Sequence, residues 1–256
     1  MEKREFRIAL SGIMIALSFV LSFIKLPGLP YGGSVTLFSM VPIVFLGCVF
    51  GPAWGLFCGV IYSFLQLLQS TGSNYFAGES AGSVALMILL DFVLAFSVLG
   101  LGGMFVTKKN ISKTRAPFLA AAGAAVVSLL RYLFHTISGF ILFGKYAEWF
   151  FEEEFTNAFG QWILANFKGN KLALIYSAVY NGLYMIPEII ITTIGIFVIM
   201  IVLMNVRSLK KRIVAERNQP FFAAKKSAEK SAEKSKEAET EGAPDSRTGK
   251  TEGQSS

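Results

Sequence analysis

Cysteine and histidine are scarce in this chain, which has two cysteines and one histidine among its 256 residues. Cys48 and Cys58 both lie within apolar runs, so we expect buried thiols and no disulfide framework. A structural zinc site typically takes four Cys or His ligands, and a catalytic zinc site takes about three protein ligands. One histidine and two buried cysteines do not supply such a set, so we expect no metal site and no resident cofactor.

Sequence motifs of enzymes are also missing. There is no Gly-x-x-x-x-Gly-Lys-Ser/Thr loop, so the chain has no phosphate-binding loop with which to hydrolyse ATP. The nearest match to the Gly-x-Ser-Gly motif of an intramembrane serine protease is Thr136-Ile137-Ser138-Gly139, which lacks the first glycine. Ser138 also follows His135 by only three residues on one expected helix, a poor arrangement for a nucleophile and its base. We therefore expect a protein that is not an enzyme.

Apolar residues dominate the sequence instead. They make up 53% of the chain, which holds 24 phenylalanines and 24 glycines. Long apolar runs with frequent glycine are typical of helices in a lipid bilayer. The net charge of +7 comes largely from residues near the N-terminus, in 108–115 and from 207 onward. This distribution indicates loops at one membrane face and argues against a nucleic-acid partner, which needs a basic stripe on a folded polar domain.

Hydropathy predicts an all-α integral membrane protein with six transmembrane helices, each judged against the roughly 20 apolar residues that a span needs. The expected spans are about 7–25, 35–50, 52–70, 84–106, 117–144 and 172–205. Only Phe50-Gly51-Pro52 separates the second from the third, which predicts a tight turn. Basic residues cluster before the first span, between the fourth and fifth, and after the sixth, whereas the opposite loops carry several glutamates. The positive-inside rule therefore places the N- and C-termini in the cytoplasm, as an even number of spans requires.

The C-terminal part differs from the rest in composition. From about residue 215 it is rich in Lys, Glu, Ser and Gly and shows no apolar periodicity. Such a segment cannot bury enough apolar surface to fold by itself. We therefore divide the chain into a membrane domain, residues 1–206, and a basic, polar, disordered cytoplasmic tail, residues 207–256.

Polar side chains from three expected helices lie at similar depths in the membrane. With a rise of about 1.5 Å per residue, Asp91 lies roughly 10 Å from the outer end of its span and His135 roughly 12 Å from that of its own. Tyr176 and Asn181 lie roughly 6 and 14 Å inside the last span. The four side chains can therefore line one pocket that opens to the outside. The alternative is that they only form structural hydrogen bonds between helices.

Arg131 and Glu188 lie deeper, and we expect each to belong to a structural ion pair or a helix-packing network; the sequence does not show whether they pair with each other. On the outer side, residues 27–34 form a turn-rich segment. The connection 145–171 brings aromatic residues to the outer face, namely Tyr146, Trp149, Phe150, Phe151 and Trp162. Interfacial anchoring accounts for most such residues, and a few can cover a ligand. A carboxylate near aromatic rings suits a flat, cationic, amine-bearing ligand.

Four sequence blocks carry a family resemblance. They are PYGGSV at 30–35, LLDF at 89–92, LLRYLFHTISGFILFGKYA at 129–147 and IYSAVYNGLYMIPEIII at 175–191. In this order and spacing they resemble the thiamine-specific substrate-binding subunits of energy-coupling factor transporters, over about residues 6–205. The resemblance implies a multi-pass protein of the cell membrane with an outward-facing vitamin pocket. It also implies association with a transmembrane coupling protein and two cytoplasmic ATPases.

The resemblance implies roles for single residues as well. The family's pocket acid falls on Asp91, its pocket histidine on His135, and the tyrosine and asparagine of its last helix on Tyr176 and Asn181. Asp91 would accept hydrogen bonds from the aminopyrimidine of thiamine, and His135 would hold or stack on the ring system. Tyr176 and Asn181 would contact the other end of the ligand.

Two further pairs of residues follow from the resemblance. Phe143 and Tyr146 are candidates to stack on the ligand. The family's small-residue motif on the first helix, which contacts the coupling protein, falls on Gly12 and Ala16, with glycine in place of the usual first alanine. The spacing of these two small residues also allows close approach of another helix.

The chain departs from some relatives at two places. Where they have tryptophan in the first outer loop and eight residues after the histidine, this chain has Gly33 or Ser34 and Phe143. Phe143 offers a smaller stacking face. Two alternatives therefore stay open: the same architecture with another small vitamin or a thiamine precursor (hydroxymethylpyrimidine), and a non-transport membrane protein whose polar residues only join helices.

Overall fold

A computed structural model describes residues 3–26, 33–72 and 74–217 of the chain. Within these ranges the regular structure is helical, apart from an isolated antiparallel bridge between Lys25 and Thr36. The predicted all-α class is confirmed. Residues 218–256 of the predicted disordered tail, and most of the turn-rich segment 27–34, lie outside the described residues.

The main helices are given in chain order. They are α1 (Lys3–Leu21), α2 (Val41–Phe50), α3 (Pro52–Thr71), α4 (Ala81–Gly103), α5 (Ala116–Leu142), α6 (Ala158–Asn166), α7 (Gly169–Asn205) and α8 (Arg207–Arg217). Short helical turns occur at Asn74–Phe76, before α4, and at Gly144–Tyr146, Ala147–Trp149 and Phe150–Glu154, between α5 and α6.

Four of the described helices, α3, α4, α5 and α7, are long and apolar enough to cross a membrane. Helix α2 has 10 residues, which give about 15 Å of the roughly 30 Å of a bilayer core. The start predicted for this span, near residue 35, is wrong, because the helix begins at Val41. Phe38 has a positive φ of 62°, and the backbone N–H of Thr36 donates to the carboxylate of Glu188 at 2.8 Å, so the preceding segment is not helical.

The tight turn predicted at Phe50-Gly51-Pro52 is confirmed. Gly51 has a φ of 104°, which favours glycine, and Pro52 occupies the first turn of α3, where its missing N–H costs no helical hydrogen bond. Helix α3 then packs closely against the end of α4. A Cβ atom added at Gly100 would lie 2.0 Å from the carbonyl oxygen of Gly55, so small residues are required at this contact.

Apolar side chains form two clusters. The larger lies among α1 to α4, the first half of α5, the end of α7 and α8. The smaller joins the segment between α5 and α7 to the first half of α7, and it includes Phe150 and Phe151, which are 2% and 0% exposed. These two rings, expected at the outer face, are therefore core residues, whereas Trp162 is 54% exposed.

Helix α8 continues the structured part beyond the predicted domain boundary. Residues 207–217 form a helix that follows α7 after Val206. Ile213, Glu216 and Arg217 of this helix are buried. The predicted start of the disordered tail at residue 207 is therefore wrong, because contacts with distant helices bury these residues and composition alone does not reveal such contacts.

Candidate functional site

A cavity of about 240 Å³ lies between the end of α1, residues 33–39 and helices α3, α4, α5 and α7. Sites for drug-sized ligands typically measure about 300–1,000 Å³, so this cavity suits a small molecule. The structure brings five of the six predicted ligand residues to its wall: Asp91, His135, Phe143, Tyr176 and Asn181. The sixth, Tyr146, lies behind Phe143 with its ring centroid 6.5 Å away.

Asp91 lies in α4 where the helix widens to π geometry over Ile88–Leu94, a feature frequent at functional sites. Its side chain is buried and accepts three hydrogen bonds. One oxygen accepts from Nδ1 of His135 at 2.8 Å. The other accepts from the hydroxyl of Tyr75 at 2.9 Å and from the hydroxyl of Ser138. These donors hold the carboxyl group at the cavity wall and offset the cost of burying it.

His135 lines the cavity and leaves one of its ring nitrogens unpaired within the part of the chain that the structure describes. Nδ1 is engaged with Asp91, and the ring lies edge-to-face against Tyr184 with centroids 6.0 Å apart. The residue is 9% exposed, and among the described residues Nε2 has no hydrogen-bond partner. Buried polar atoms nearly always have a partner, so Nε2 is a natural contact for a ligand atom.

Helix α7 lines the cavity with a stripe of tyrosines. Tyr176, Tyr180 and Tyr184 follow one another at a spacing of four residues and therefore share a helix face. All three are buried, and successive ring centroids are 5.8 and 6.3 Å apart. Phe150 packs edge-to-face on Tyr176 at 5.2 Å, so the aromatic core of the outer segment supports the cavity wall.

Asn181 is held by protein groups on both sides of its amide. Its Nδ2 donates to the carbonyl oxygens of His135 and Ser177 at 3.2 and 2.9 Å, and its Oδ1 accepts from the hydroxyl of Tyr184 at 2.6 Å. The helices approach closely here, since a Cβ at Gly139 would lie 2.3 Å from the hydroxyl of Ser177. Asn181 thus forms the structural hydrogen bonds between helices that the sequence left open as an alternative, while also lining the cavity.

Arg131 and Glu188 form a buried ion pair one helical turn from His135, with Nη1 and Oε2 2.7 Å apart. The other carboxylate oxygen of Glu188 accepts from the backbone N–H and the hydroxyl of Thr36. The guanidinium group of Arg131 lies over the ring of Phe96, 4.4 Å from its centroid. The ion pair that we expected as one possibility is present, and the two residues form it with each other; both also line the cavity. The pair also attaches the segment at Thr36 to α7.

Tyr75 and Phe143 form an aromatic corner of the cavity. Their ring centroids are 6.1 Å apart and their planes are tilted by 40°. Tyr75 lies in the short turn between α3 and α4. Burial raises the pKa of Tyr75 well above its ordinary value, so its hydroxyl stays protonated and donates to Asp91.

Sequence reasoning did not select several wall residues, namely Tyr75, Ser138, Tyr180 and Tyr184. Helical spacing from His135 and along α7 could have found three of them. Tyr75 has no such signal, because it lies in a turn and no periodicity relates it to Asp91.

Gly33 is one of two residues, with Ser34, that we matched to the first-loop tryptophan position of the resembling family. Its N–H donates to the hydroxyl of Tyr180 at 3.2 Å. A Cβ atom at this position would lie 2.9 Å from the ring of Tyr184. Two tyrosines of α7 therefore fill the space beside this residue and leave no room for a side chain.

Gly12 and Ala16 lie on the exposed side of α1. Within the described part of the chain, a Cβ placed at Gly12 would meet no atom within 4 Å beyond its own stretch of helix. The surrounding apolar side chains on this face are also exposed, namely Ile8, Ile13, Leu17 and Val20. Among the described residues, this face is open for lipid or another helix.

The cavity wall can hold a small, flat cation. Asp91 supplies negative charge, whereas the charge of Glu188 is balanced by Arg131. Aromatic faces such as that of Phe143 suit cation–π contact and stacking. Among the residues that the structure describes, no three His, Cys, Asp or Glu side chains converge to hold a metal ion.

Comparison with known proteins places the chain in a family. The family model described as "Thiamine transporter protein" matches residues 8–149. The thiamine transporter ThiT of Bacillus subtilis (strain 168) is 31% identical over 199 residues, which cover 75% of this chain and 88% of that protein. The solved structure of ThiT from Listeria monocytogenes superposes with a TM-score of 0.58 at 21% identity, over 82% of this chain and 99% of that one. At this identity the structural match shows the fold.

The family match covers both Asp91 and His135. The relatives, together with several long apolar helices, identify a multi-pass protein of the cell membrane. The resemblance drawn from the four sequence blocks is therefore confirmed: the chain belongs to the thiamine transporter protein family.

Proposed function

We propose that the chain is the membrane-embedded, high-affinity thiamine-binding subunit of an energy-coupling factor importer. The single observation that carries this proposal is the buried Asp91–His135 pair at the cavity wall, with Nε2 of His135 left for a ligand. Thiamine is a small cation with an aminopyrimidine ring, so it offers N–H donors, ring nitrogens and positive charge to such a wall. The family membership and the relative named a thiamine transporter support the same ligand.

The wall residues then have distinct roles. Asp91 has lone pairs left over beside its three protein donors. With one of them it accepts a hydrogen bond from the amino group of the pyrimidine. His135 contacts the same ring system through Nε2. Tyr176 and Asn181 contact the other end of the ligand. Phe143 stacks on the ligand, and Tyr146, whose ring lies beside that of Phe143 at a tilt of 31°, extends the aromatic surface.

The proposed subunit carries out no chemistry of its own. The hydroxyl of Ser138 donates to Asp91, so its hydrogen bond does not pair it with His135 as a nucleophile with its base. Movement of thiamine into the cell is driven by a coupling protein and two ATPases. The exposed Gly12–Ala16 face of α1 is the docking surface that we assign to the coupling protein.

The proposed topology has six spans with both termini in the cytoplasm and a disordered tail after α8. Helix α1 and the segment 35–50, which includes α2, supply the two spans beyond the four long apolar helices. Basic residues in 108–115 and in α8 support the cytoplasmic assignment of those segments. The pair formed by Glu79 and Lys145, 3.0 Å apart, joins two connections that this topology places outside.

Calorimetric titration of thiamine into the detergent-purified chain tests the function, with riboflavin and hydroxymethylpyrimidine as comparators. Nanomolar binding of thiamine alone is expected. If hydroxymethylpyrimidine binds tightly and thiamine binds weakly, the substrate is the thiamine precursor and not thiamine itself. No binding of any of the three by a folded protein would contradict the proposal.

The alternative is that the polar residues only form hydrogen bonds between helices. Measurements on the Asp91→Ala variant distinguish it from this proposal. The proposal expects loss of thiamine binding with the helical fold retained. The alternative expects a lower unfolding temperature and no effect on ligand binding, because that protein would bind no ligand.

A further inference from the structure

Helix α8 lies at the end of the bundle away from the cavity. Its partner Arg7 is near the start of α1, whereas Ser22, just after α1, lines the cavity. At 1.5 Å per residue, about 22 Å of chain along the helix axis separates these two positions. A change at α8 can therefore act on α1 without touching the ligand.

Arg217 joins α8 to the ends of two other helices. Its guanidinium group donates to the carbonyl oxygens of Gly47 at 3.2 Å, Gly103 at 3.1 Å and Val106. The carbonyls of Gly47 and Gly103 also accept from the backbone N–H groups of Gly51 and Val106. Arg217 therefore adds a second donor to each, which a carbonyl oxygen with two lone pairs can accept. One buried side chain thus supplies donors to the end of α2 and to the end of α4.

Arg7 and Glu216 join α8 to α1. Nη2 of Arg7 donates to the backbone carbonyl of Glu216 at 2.9 Å and lies 3.7 Å from its carboxylate. The guanidinium group of Arg7 also lies over the rings of Phe50 and Trp54, 5.1 and 5.3 Å from their centroids. Both charged residues are buried, at 6% and 3% exposure. The start of α1 is therefore held between α8 and the turn that joins α2 to α3.

The attachment of α8 is narrow. Among its residues, only Ile213, Glu216 and Arg217 are buried, and Val206 alone separates the helix from α7. Segments with few buried apolar contacts open at low free-energy cost. Helix α8 can thus separate from the bundle while the long helices stay packed.

We propose that α8 is a releasable clamp on α1. When it is attached, it holds the start of α1 against α2 and α3; when it is released, the start of α1 separates from α3, whereas the far end of α1, beside the cavity, stays in place. Because α1 carries Gly12 and Ala16, the clamp sets the position of that face. This last consequence rests on the proposed function, whereas the clamp itself does not.

Two native thiols report the two contacts. Cys48 is fully buried in α2, one residue after Gly47, whose carbonyl oxygen binds Arg217. Cys58 of α3 is 1% exposed and lies beside Ser11 of α1. The labelling rate of Cys48 should therefore rise when α8 detaches, and the labelling rate of Cys58 should rise when α1 separates from α3.

The experiment measures the rate of labelling by a membrane-permeant maleimide in the purified full chain, in Cys48→Ala and Cys58→Ala backgrounds that each leave one thiol. Arg217→Gln and Glu216→Gln are compared with Lys211→Gln, which removes a charge from an exposed position of the same helix. Folding is read from the helical circular dichroism signal, and ligand binding from thiamine titration.

The clamp predicts that Arg217→Gln raises the labelling rate of Cys48 at least tenfold, that Glu216→Gln does the same for Cys58, and that Lys211→Gln changes neither. The affinity for thiamine stays within threefold of the unmodified chain in all three variants. Should either substitution prevent folding, a chain ending at Val206 replaces it, with the same expectation for both thiols.

Continued protection of Cys58 in the shortened chain would overturn the proposal. So would loss of thiamine affinity together with labelling, since release would then not be local. If the unmodified chain binds no thiamine, the proposed function fails, but the labelling rates and the dichroism signal still test the clamp.

Discussion

Replacing Asp91 by asparagine is expected to weaken thiamine binding by about 60- to 700-fold while the fold is retained. Asparagine keeps the size of the side chain and one acceptor oxygen. It loses the negative charge, and it turns one acceptor into an NH₂ donor. In the unmodified chain, two hydroxyl groups and an imidazole donate to the carboxylate, so the new NH₂ group of the variant faces another donor in place of an acceptor.

The magnitude follows from the contacts of Asp91. A hydrogen bond to a charged group contributes about 1.5–3 kcal/mol, and one such bond from the ligand is lost. The positive charge of thiamine also loses its attraction to the carboxylate, which adds about 1 kcal/mol even when two unit charges about 4 Å apart are screened as in bulk water. A total of about 2.5–4 kcal/mol corresponds to the stated factor, because each 1.4 kcal/mol is tenfold in Kd.

The assay is calorimetric titration of thiamine into both proteins, with an unfolding temperature recorded for each. Glu79→Gln is the matched control. It removes a carboxylate that pairs with the exposed Lys145 and does not line the cavity, so the affinity is expected to stay within twofold. A Kd for Asp91→Asn within threefold of the unmodified chain would refute the reasoning, since the carboxylate would then make no direct contribution to binding.

Three further substitutions test the surrounding structure. Arg131→Met leaves the buried carboxylate of Glu188 without its positive partner and should destabilise the fold by about 3–5 kcal/mol, as measured by thermal unfolding. Adding Glu188→Met to this variant should restore most of the lost stability. If the second substitution restores none of it, the pairing of the two residues is contradicted. Gly33→Ala places a Cβ 2.9 Å from a tyrosine ring, so thiamine affinity should fall about tenfold by titration, whereas Ser34→Ala should leave it unchanged. Phe143→Ala should weaken binding by about 2- to 12-fold, from a stacking contribution of about 0.5–1.5 kcal/mol, and unchanged affinity would remove Phe143 from the ligand contacts.

Local composition was enough to predict the class of the protein and much of its cavity. Apolar runs and charge placement indicate membrane helices, because each span must form its own backbone hydrogen bonds and must be long enough to cross the hydrocarbon core of the bilayer. Depth along those helices selected Asp91 and His135, since position along a helix is set by a constant rise per residue. The four sequence blocks carried the family, which the comparisons confirmed.

Contacts between distant segments were decided only by the tertiary structure. Tyr75 and Ser138 both donate to Asp91, yet Tyr75 comes from a turn that has no periodic relation to either helix. Phe151 was expected at the membrane surface and is a core residue.

The end of the chain shows the same division. Its composition predicts disorder from residue 207, because few of its side chains can be buried by a helix on its own. Arg217 nevertheless lies buried among carbonyl oxygens of Gly47 and Gly103. Those acceptors become available only once α2 and α4 have packed side by side, so no local property of α8 predicts that it is ordered. The sequence by itself determined the membrane helices and the family; the packing of distant segments decided which polar groups meet in the cavity and at α8.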